Sequence, residues 1–131
     1  MEKSISEILV KDIMRKELIT VDSSTTLFQI AKMMEQSGIG AVMVKKNDDL
    51  SGIITDRDFA IKVATQSLSL DTPVDKVASY PLQTINTSES IVAAAKAMTT
   101  KKIRKLAATD GEKIVGIITS TDLVNLLAAK N

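Results

Sequence analysis

Two threonine–aspartate pairs have the residue types and spacing that best fit ligand chemistry. Thr55 and Asp58 lie in the segment GIITDRD, and Thr119 and Asp122 lie in the segment GIITSTD. An aspartate in the first turn of a helix can accept two hydrogen bonds from the vicinal hydroxyls of a ribose. A threonine hydroxyl can donate to a ribose or phosphate oxygen, and the N–H groups that begin a helix attract anions. The pattern therefore indicates recognition of a nucleoside or nucleotide.

The same spacing also has a purely structural explanation. Thr-x-x-Asp is close to a capping box, in which the threonine hydroxyl accepts a backbone hydrogen bond at the start of a helix. The acidic side chain would also lie at the positive end of the helix dipole. Under this alternative both pairs only begin helices, and the residue pattern alone leaves the two explanations open.

The composition argues against an enzyme. Histidine and cysteine are absent, which removes the commonest general base and metal ligand together with any disulfide or thiol chemistry. The acidic residues Asp48 and Asp49 lie in a predicted solvated turn. We therefore predict a non-enzymatic protein with no catalytic residues and no metal site.

Nucleic acid and membrane are both poor candidates for a partner. The net charge is +1, and Phe28, Phe59 and Tyr80 are the aromatic residues available for base stacking. The basic run 101–105 is a local exception of the kind that usually forms a solvated surface. The apolar runs are too short for a membrane span, and the polar N-terminus does not resemble a signal peptide. We therefore predict a cytoplasmic protein.

An internal repeat organises the chain. Shifted by 64 positions, the sequence matches itself without a gap, so that Gly52-Ile53-Ile54-Thr55 falls on Gly116-Ile117-Ile118-Thr119. The predicted repeats are 1–66 and 67–131. Each is too small to bury a sufficient core alone. We therefore expect one compact module in which the two sheets pack face to face about a pseudo-twofold axis, with a cleft on either side of it.

Each repeat has the same predicted order of elements: a helical start, a short strand, a helix, two strands and a last helix. The first long helix is predicted over Thr26 to Gln36, and Gly38 can end it in the left-handed conformation. Lys102 replaces this glycine in the second repeat, so a different turn is possible there. The predicted helix caps are Asp22-Ser23-Ser24 and Asn86-Thr87-Ser88, and the predicted strand turns are 46–49 and 110–112.

This arrangement resembles a tandem pair of CBS (cystathionine-β-synthase) domains, also called a Bateman module. The resemblance extends from about Val10 to Leu127. It depends on the segments Val10-Lys11-Asp12-Ile13-Met14 and Gly38-Ile39-Gly40-Ala41-Val42-Met43-Val44, and on both GIIT-x-x-D segments. It implies an α/β (α+β) fold of two β-α-β-β-α repeats.

The resemblance also implies a function. CBS pairs typically bind AMP, ADP, ATP or S-adenosylmethionine in two clefts between the domains, without a covalent cofactor, and commonly form homodimers that can act on a separate protein target. Carried over by position, the main cleft would comprise Thr119, Asp122, Leu18, Ile19, Thr20, Gly40, Ala41 and Val42, with Arg104 and Lys105 near the phosphates. The second cleft would comprise Thr55, Arg57, Asp58, Tyr80, Leu82, Thr84 and Leu106, with Arg104 and Lys105 where its base would lie.

The two predicted clefts differ where the base should lie. Gly40 and Ala41 leave room for a flat base in the main cleft. Arg104 and Lys105 occupy the matching positions in the second cleft, where they could obstruct a base or turn to pair with phosphates. We therefore expect the Asp122 cleft to take the adenosine. The alternative function is a structural or oligomerisation module that binds no nucleotide.

Overall fold

The computed structural model describes residues 4–129 and shows an α/β fold with two three-stranded sheets. The two repeats place equivalent elements in the same order, as predicted. In chain order the elements are a 3-10 turn at Ile5–Glu7, α1 (Val10–Ile13), β1 (Thr20–Asp22), α2 (Leu27–Ser37), β2 (Ala41–Lys46), β3 (Asp49–Thr55), α3 (Asp56–Asp58) continuing as a π-helical turn at Phe59–Ala64, a 3-10 turn at Val74–Lys76, β4 (Thr84–Asn86), α4 (Ile91–Lys101), β5 (Lys105–Asp110), β6 (Lys113–Thr119) and α5 (Ser120–Ala129).

Both sheets have the same mixed topology. In each, the first strand pairs in parallel with the second, which pairs antiparallel with the third. The parallel step requires a crossover, which α2 supplies in one sheet and α4 in the other. In the antiparallel ladders Ala41 pairs with Thr55, and Lys105 pairs with Thr119. This register places the end of β3 or β6 beside the start of β2 or β5.

The chain forms two compact units that each combine material from both sequence repeats. The split unit contains residues 4–18 and 83–129, and the continuous unit contains residues 19–82. The segment before β1 therefore packs with the second repeat, and the segment after the π-helical turn packs with the first. The predicted boundary at residues 66 and 67 describes the sequence repeat and does not coincide with these units.

Equivalent residues fill the two cores. Val10 is fully buried in the split unit, and its repeat counterpart Val74 is fully buried in the continuous unit. Both are also fixed through the backbone: Val10 N–H donates to Glu89 O at 2.8 Å, and Val74 N–H donates to Thr25 O at 2.7 Å. The buried sets are Ile8, Val10, Ile91, Ala94, Met98, Leu106, Ala108 and Ile118 in one unit, and Leu27, Ile30, Val42, Val44, Ile54, Val63, Val74 and Val77 in the other.

The helix caps lie later in the sequence than predicted. Thr26 Oγ1 accepts from Gln29 N–H at 3.2 Å, and Ser90 Oγ accepts from Ala93 N–H at 3.0 Å. Asp22 instead closes a turn in which its side chain accepts from Ser24, as Asn86 does with Ser88. Asx turns and helix caps use the same residue types, which explains why the prediction placed the caps too early.

Both long helices end in the same way. Gly38 adopts φ 65°, and Lys102 adopts φ 55°, so the left-handed cap is kept without a glycine. The different turn that the sequence allowed at Lys102 is therefore not present. A lysine in this conformation carries a penalty of roughly 1 kcal/mol relative to glycine.

Candidate functional site

The two Thr-x-x-Asp segments lie where an edge strand becomes a helix. Thr55 ends β3 and Thr119 ends β6. The next backbone N–H bonds to the residue that precedes the neighbouring strand: Asp56 N–H donates to Gly40 O at 3.0 Å, and Ser120 N–H donates to Arg104 O at 2.8 Å. Each turn is therefore fixed beside the segment before β2 or β5 of its own unit.

Both segments form closed capping boxes. Thr55 N–H donates to Asp58 Oδ2 at 2.8 Å, and Asp58 N–H donates to Thr55 Oγ1 at 3.4 Å. The corresponding distances at Thr119 and Asp122 are 2.9 and 3.2 Å. The structural explanation of the motif is thus geometrically satisfied. A carboxylate offers about four lone-pair sites, so the cap leaves each aspartate with further acceptor capacity.

The second oxygen of each aspartate is paired with a cation. Asp122 Oδ1 lies 3.1 Å from Arg15 Nε, and Asp58 Oδ1 lies 3.4 Å from Lys62 Nζ. Neither cation was among the predicted site residues. The spacing of Asp58 and Lys62 is a recognisable helical ion-pair pattern, whereas Arg15 is 107 positions from Asp122 and leaves no local signal.

Arg15 belongs to an extended segment that lies along the edge strand β6. Its N–H donates to Ile117 O at 2.8 Å, and Ile117 N–H donates back to Arg15 O at 2.9 Å. In the continuous unit Ser79 pairs with Ile53 of β3 in the same way, at 2.9 and 3.2 Å. Equivalent positions of the two repeats therefore place an arginine beside Asp122 and a serine beside Lys62, the lysine that pairs with Asp58.

These edge segments explain the glycine of each GIIT motif. A Cβ on Gly116 would lie 2.8 Å from Arg15 O and 2.8 Å from Met14 Sδ. A Cβ on Gly52 would lie 2.5 Å from Cε1 of Tyr80. A Cβ at Gly116 would collide with backbone as well as with a side chain, whereas a Cβ at Gly52 would require the Tyr80 ring to shift, so glycine fits both close approaches without displacement.

Tyr80, predicted to line a base pocket, has a structural set of partners. Its ring lies against Gly52, and its hydroxyl donates to Asp75 Oδ1 at 2.9 Å. Lys46 Nζ is 3.3 Å from the same oxygen and 5.7 Å from the ring centroid. The side chain therefore joins the segment after the 3-10 turn to the β2–β3 hairpin, and its role toward a ligand stays a prediction.

We expect the free energy of unfolding to fall at alkaline pH because of the Tyr80 hydroxyl. Burial, followed by the hydrogen bond to Asp75, raises its pKa from 10.0 to about 12. Because the folded-state pKa exceeds the unfolded one, its contribution is complete below pH 10 and is lost as the pH rises from 10 toward 12. Urea midpoints measured from pH 8 to 11 should fall more steeply for the wild type than for Tyr80→Phe. Parallel curves would contradict this assignment.

The remaining predicted residues divide between the two units. The split unit holds Thr119, Asp122, Leu18, Thr84, Arg104, Lys105 and Leu106, and the continuous unit holds Thr55, Arg57, Asp58, Ile19, Thr20, Gly40, Ala41, Val42, Tyr80 and Leu82. Val42 and Leu106 are core residues with at most 1% exposure, so only their backbone could face a ligand. The grouping of these residues into two clefts stays a prediction.

The two turns differ in charge. Ser120 and Thr121 separate the threonine from the aspartate in the split unit, and Lys105 pairs directly with Thr119 across the sheet. In the continuous unit Asp56 and Arg57 take the intervening positions, and the Asp56 carboxylate already accepts from Arg57 N–H at 2.9 Å. The turn around Asp122 is thus the more cationic and better suited to an anionic group.

Comparison with known proteins assigns this architecture to a family. The family model of the CBS domain matches residues 10–64 and again residues 69–129. The chain belongs to the CBS domain family. This CBS pair is 35% identical over 114 residues to the CBS domain-containing protein YhcV of Bacillus subtilis, covering 87% of this chain and 81% of YhcV.

Two further similar proteins are a longer sequence relative and a solved structure with bound ligands. The uncharacterized protein MK0525 of Methanopyrus kandleri is 34% identical over 120 residues, and the match covers 89% of this chain but only 61% of MK0525. The CBS domain pair of protein MJ0100, solved in complex with 5′-methylthioadenosine and S-adenosyl-L-methionine, superimposes with a TM-score of 0.84 at 28% identity, covering 94% of this chain and 98% of that one. Among the helices of residues 4–129, none has the length and apolarity needed to span a membrane.

Proposed function

We propose that this CBS pair is a regulatory module that binds an adenosine-containing ligand, namely AMP, ADP, ATP or S-adenosylmethionine, and catalyses no reaction. The observation that carries the proposal is the carboxylate of Asp122, which the cap at Thr119 holds at the start of α5. Its Oδ1 is paired with the exposed side chain of Arg15, and the Asp122 side chain itself is 10% exposed. Ribose hydroxyls can therefore reach this oxygen by displacing one flexible side chain.

The ligand class has independent support. The MJ0100 pair, similar to this chain over nearly its full length, is in complex with two adenosine compounds. In this chain Arg104 and Lys105 adjoin the Thr119 turn through the hydrogen bond from Ser120 and the pairing of β5 with β6. We therefore assign the ribose to Asp122 and the phosphates to the neighbourhood of Arg104 and Lys105, with Asp58 as the weaker site.

A structural module without a nucleotide is the second candidate function. It is favoured by the closed capping boxes at Thr55–Asp58 and Thr119–Asp122, which account for both motifs without any ligand. The two candidates differ in one measurable respect. A ligand that binds only the folded state must stabilise it, whereas a structural module is indifferent to nucleotides.

Thermal unfolding separates these candidates. We expect AMP, ATP or S-adenosylmethionine to raise the melting temperature of the chain. At a ligand concentration a hundredfold above Kd, binding should add about 2.7 kcal/mol to the free energy of unfolding. At the same concentration 2′,3′-dideoxyadenosine should give a smaller shift than adenosine, because it lacks the hydroxyls that the aspartate would bind. A flat response to all the nucleotides would support the structural alternative.

The assembly and location proposed for this module follow from its surface and its ligand. Phe28 of α2 and its repeat counterpart Val92 of α4 are exposed, as are Val124 and Leu127 of α5. Exposed apolar side chains on helices favour self-association, and we include a homodimer in the proposal, to be measured by light scattering. An adenine nucleotide effector also fits a cytoplasmic protein that transmits its state to a separate protein target.

A further inference from the structure

The two cations that pair with the aspartates, Lys62 and Arg15, differ in the number of contacts that hold them in place. Lys62 Nζ contacts Asp58 Oδ1 at 3.4 Å, Ser79 Oγ at 3.0 Å and Val77 O at 3.1 Å. These contacts match the three donors of an ammonium group. Lys62 therefore links the helix after β3 to the segment along the edge of β3, and a ligand that used Asp58 would have to compete with a lysine that two further contacts hold in place.

Arg15 is bound far more loosely. A single hydrogen bond from Nε to Asp122 Oδ1 joins it to the aspartate, and its side chain is 63% exposed against 10% for Asp122. The backbone of Arg15 is fixed to Ile117 by two hydrogen bonds, so the guanidinium can swing away while its attachment point stays in place. An exposed ion pair of this kind is weak, of the order of 0–1 kcal/mol.

The internal repeat shows that the arginine is a particular property of the split unit. The residue equivalent to Arg15 is Ser79, whose hydroxyl accepts from Lys62. The same backbone position thus supplies a movable cation in one unit and an anchor for a fixed cation in the other. A ligand can therefore displace the cation beside Asp122 more easily than the cation beside Asp58.

We propose that Arg15 is a specificity-determining residue of this module, an inference that rests on the proposed ribose role of Asp122. In the chain without a ligand, the guanidinium of Arg15 is hydrogen-bonded to the carboxylate of Asp122. An uncharged nucleoside must displace it and leaves the cation without a partner. A nucleotide releases the same cation but brings an anionic phosphate that compensates it. Arg15 therefore selects nucleotides over nucleosides at the Asp122 turn.

Calorimetric titration of adenosine and AMP against Arg15→Gln measures this selection. Adenosine should bind the variant about two- to fivefold more tightly than the wild type, because an ion pair of up to about 1 kcal/mol no longer competes for Asp122. The ratio of AMP affinity to adenosine affinity should fall by at least about twofold. Lys16→Gln removes the same charge from the adjacent exposed residue, and it should leave the ratio unchanged.

Salt concentration provides a readout that a merely structural role would not change. The affinity of the wild type for uncharged adenosine should rise between about 0.05 and 0.5 M NaCl, because salt screens the Arg15–Asp122 pair. In Arg15→Gln the adenosine affinity should not depend on salt. Equal salt dependence of the two proteins would overturn the proposal.

The possible failures are distinguishable. If neither adenosine nor AMP binds the wild type, the selective role of Arg15 is overturned, and if ADP, ATP and S-adenosylmethionine fail to bind as well, the proposed function is overturned with it. If both ligands bind and their affinity ratio is the same in wild type, Arg15→Gln and Lys16→Gln, the ribose-binding function stands and the selective role of Arg15 is overturned.

Discussion

Replacing Asp122 with asparagine is expected to weaken AMP binding by roughly ten- to a hundredfold. An asparagine side chain has one acceptor oxygen, and when this oxygen accepts from Thr119 N–H the amide group faces the ribose and cannot accept from its hydroxyls. Hydrogen bonds to a charged group contribute about 1.5–3 kcal/mol, and each 1.4 kcal/mol is a tenfold change in affinity. The remaining oxygen can still accept from Thr119 N–H, so α5 should begin normally. Calorimetric titration measures the affinity, and thermal unfolding without ligand checks the fold.

Asp58→Asn is the matched control, because Asp58 has the same capping box in the continuous unit. Its side chain is engaged by Lys62, which is itself fixed to Ser79 and Val77. We expect AMP affinity to change by less than about threefold in this variant. An equal loss in both variants would remove the asymmetry between the two sites. Unchanged binding in both would remove the ribose role of the motif.

Alanine at position 116 should destabilise the fold by about 1–3 kcal/mol, the usual cost of overpacking a buried position. The added Cβ would lie 2.8 Å from the carbonyl oxygen of Arg15, which is backbone and is fixed to Ile117 on both sides. The strand β6 or the segment at Met14–Arg15 must therefore move. Urea denaturation gives the free energy of unfolding of the variant and of the wild type.

Gly40→Ala controls for the loss of a glycine as such. A Cβ there would meet Asp56 Oδ2 at 3.4 Å, an ordinary contact, so we expect a change within about 0.5 kcal/mol. Equal stability of Gly116→Ala and wild type would show that the edge segment yields without cost. It would then be a weaker element of the fold than its hydrogen bonds indicate.

The repeat made the topology predictable. Both copies carry apolar runs in the second and third strands, and the residues at the matching positions Val42 and Leu106, and Ile54 and Ile118, are buried. Strand and helix order, the left-handed cap at Gly38 and the position of both Thr-x-x-Asp segments at helix starts were all present in local patterns. Local chemistry dictates these features, because each depends on neighbours within a few residues.

The features that depend on distant residues could not be predicted. Nothing in the types of residues 10–18 indicates that they pack with the second repeat, because Val10 and its counterpart Val74 are both valines and suit either core equally well. The pairing of Arg15 with Asp122 depends on this exchange and was missed with it. Lys102 shows a further limit: hydrogen bonds from its N–H to Met98 O and Thr99 O retain a left-handed cap that its residue type disfavours.

The division of the split unit into residues 4–18 and 83–129 has a consequence for the order of folding. Its two parts meet only after the chain closes a loop that contains the whole continuous unit. The ends of that loop are fixed on one small sheet, because Met43 N–H donates to Ile19 O at 2.8 Å and Leu82 N–H donates to Ser51 O at 3.0 Å. Once the continuous unit has formed, a flexible loop is replaced by a span of a few strand spacings of about 4.8 Å each. Most of the closure entropy of this loop has then already been lost, so we expect a continuous unit that folds first to speed the assembly of the split unit by bringing its two parts close together.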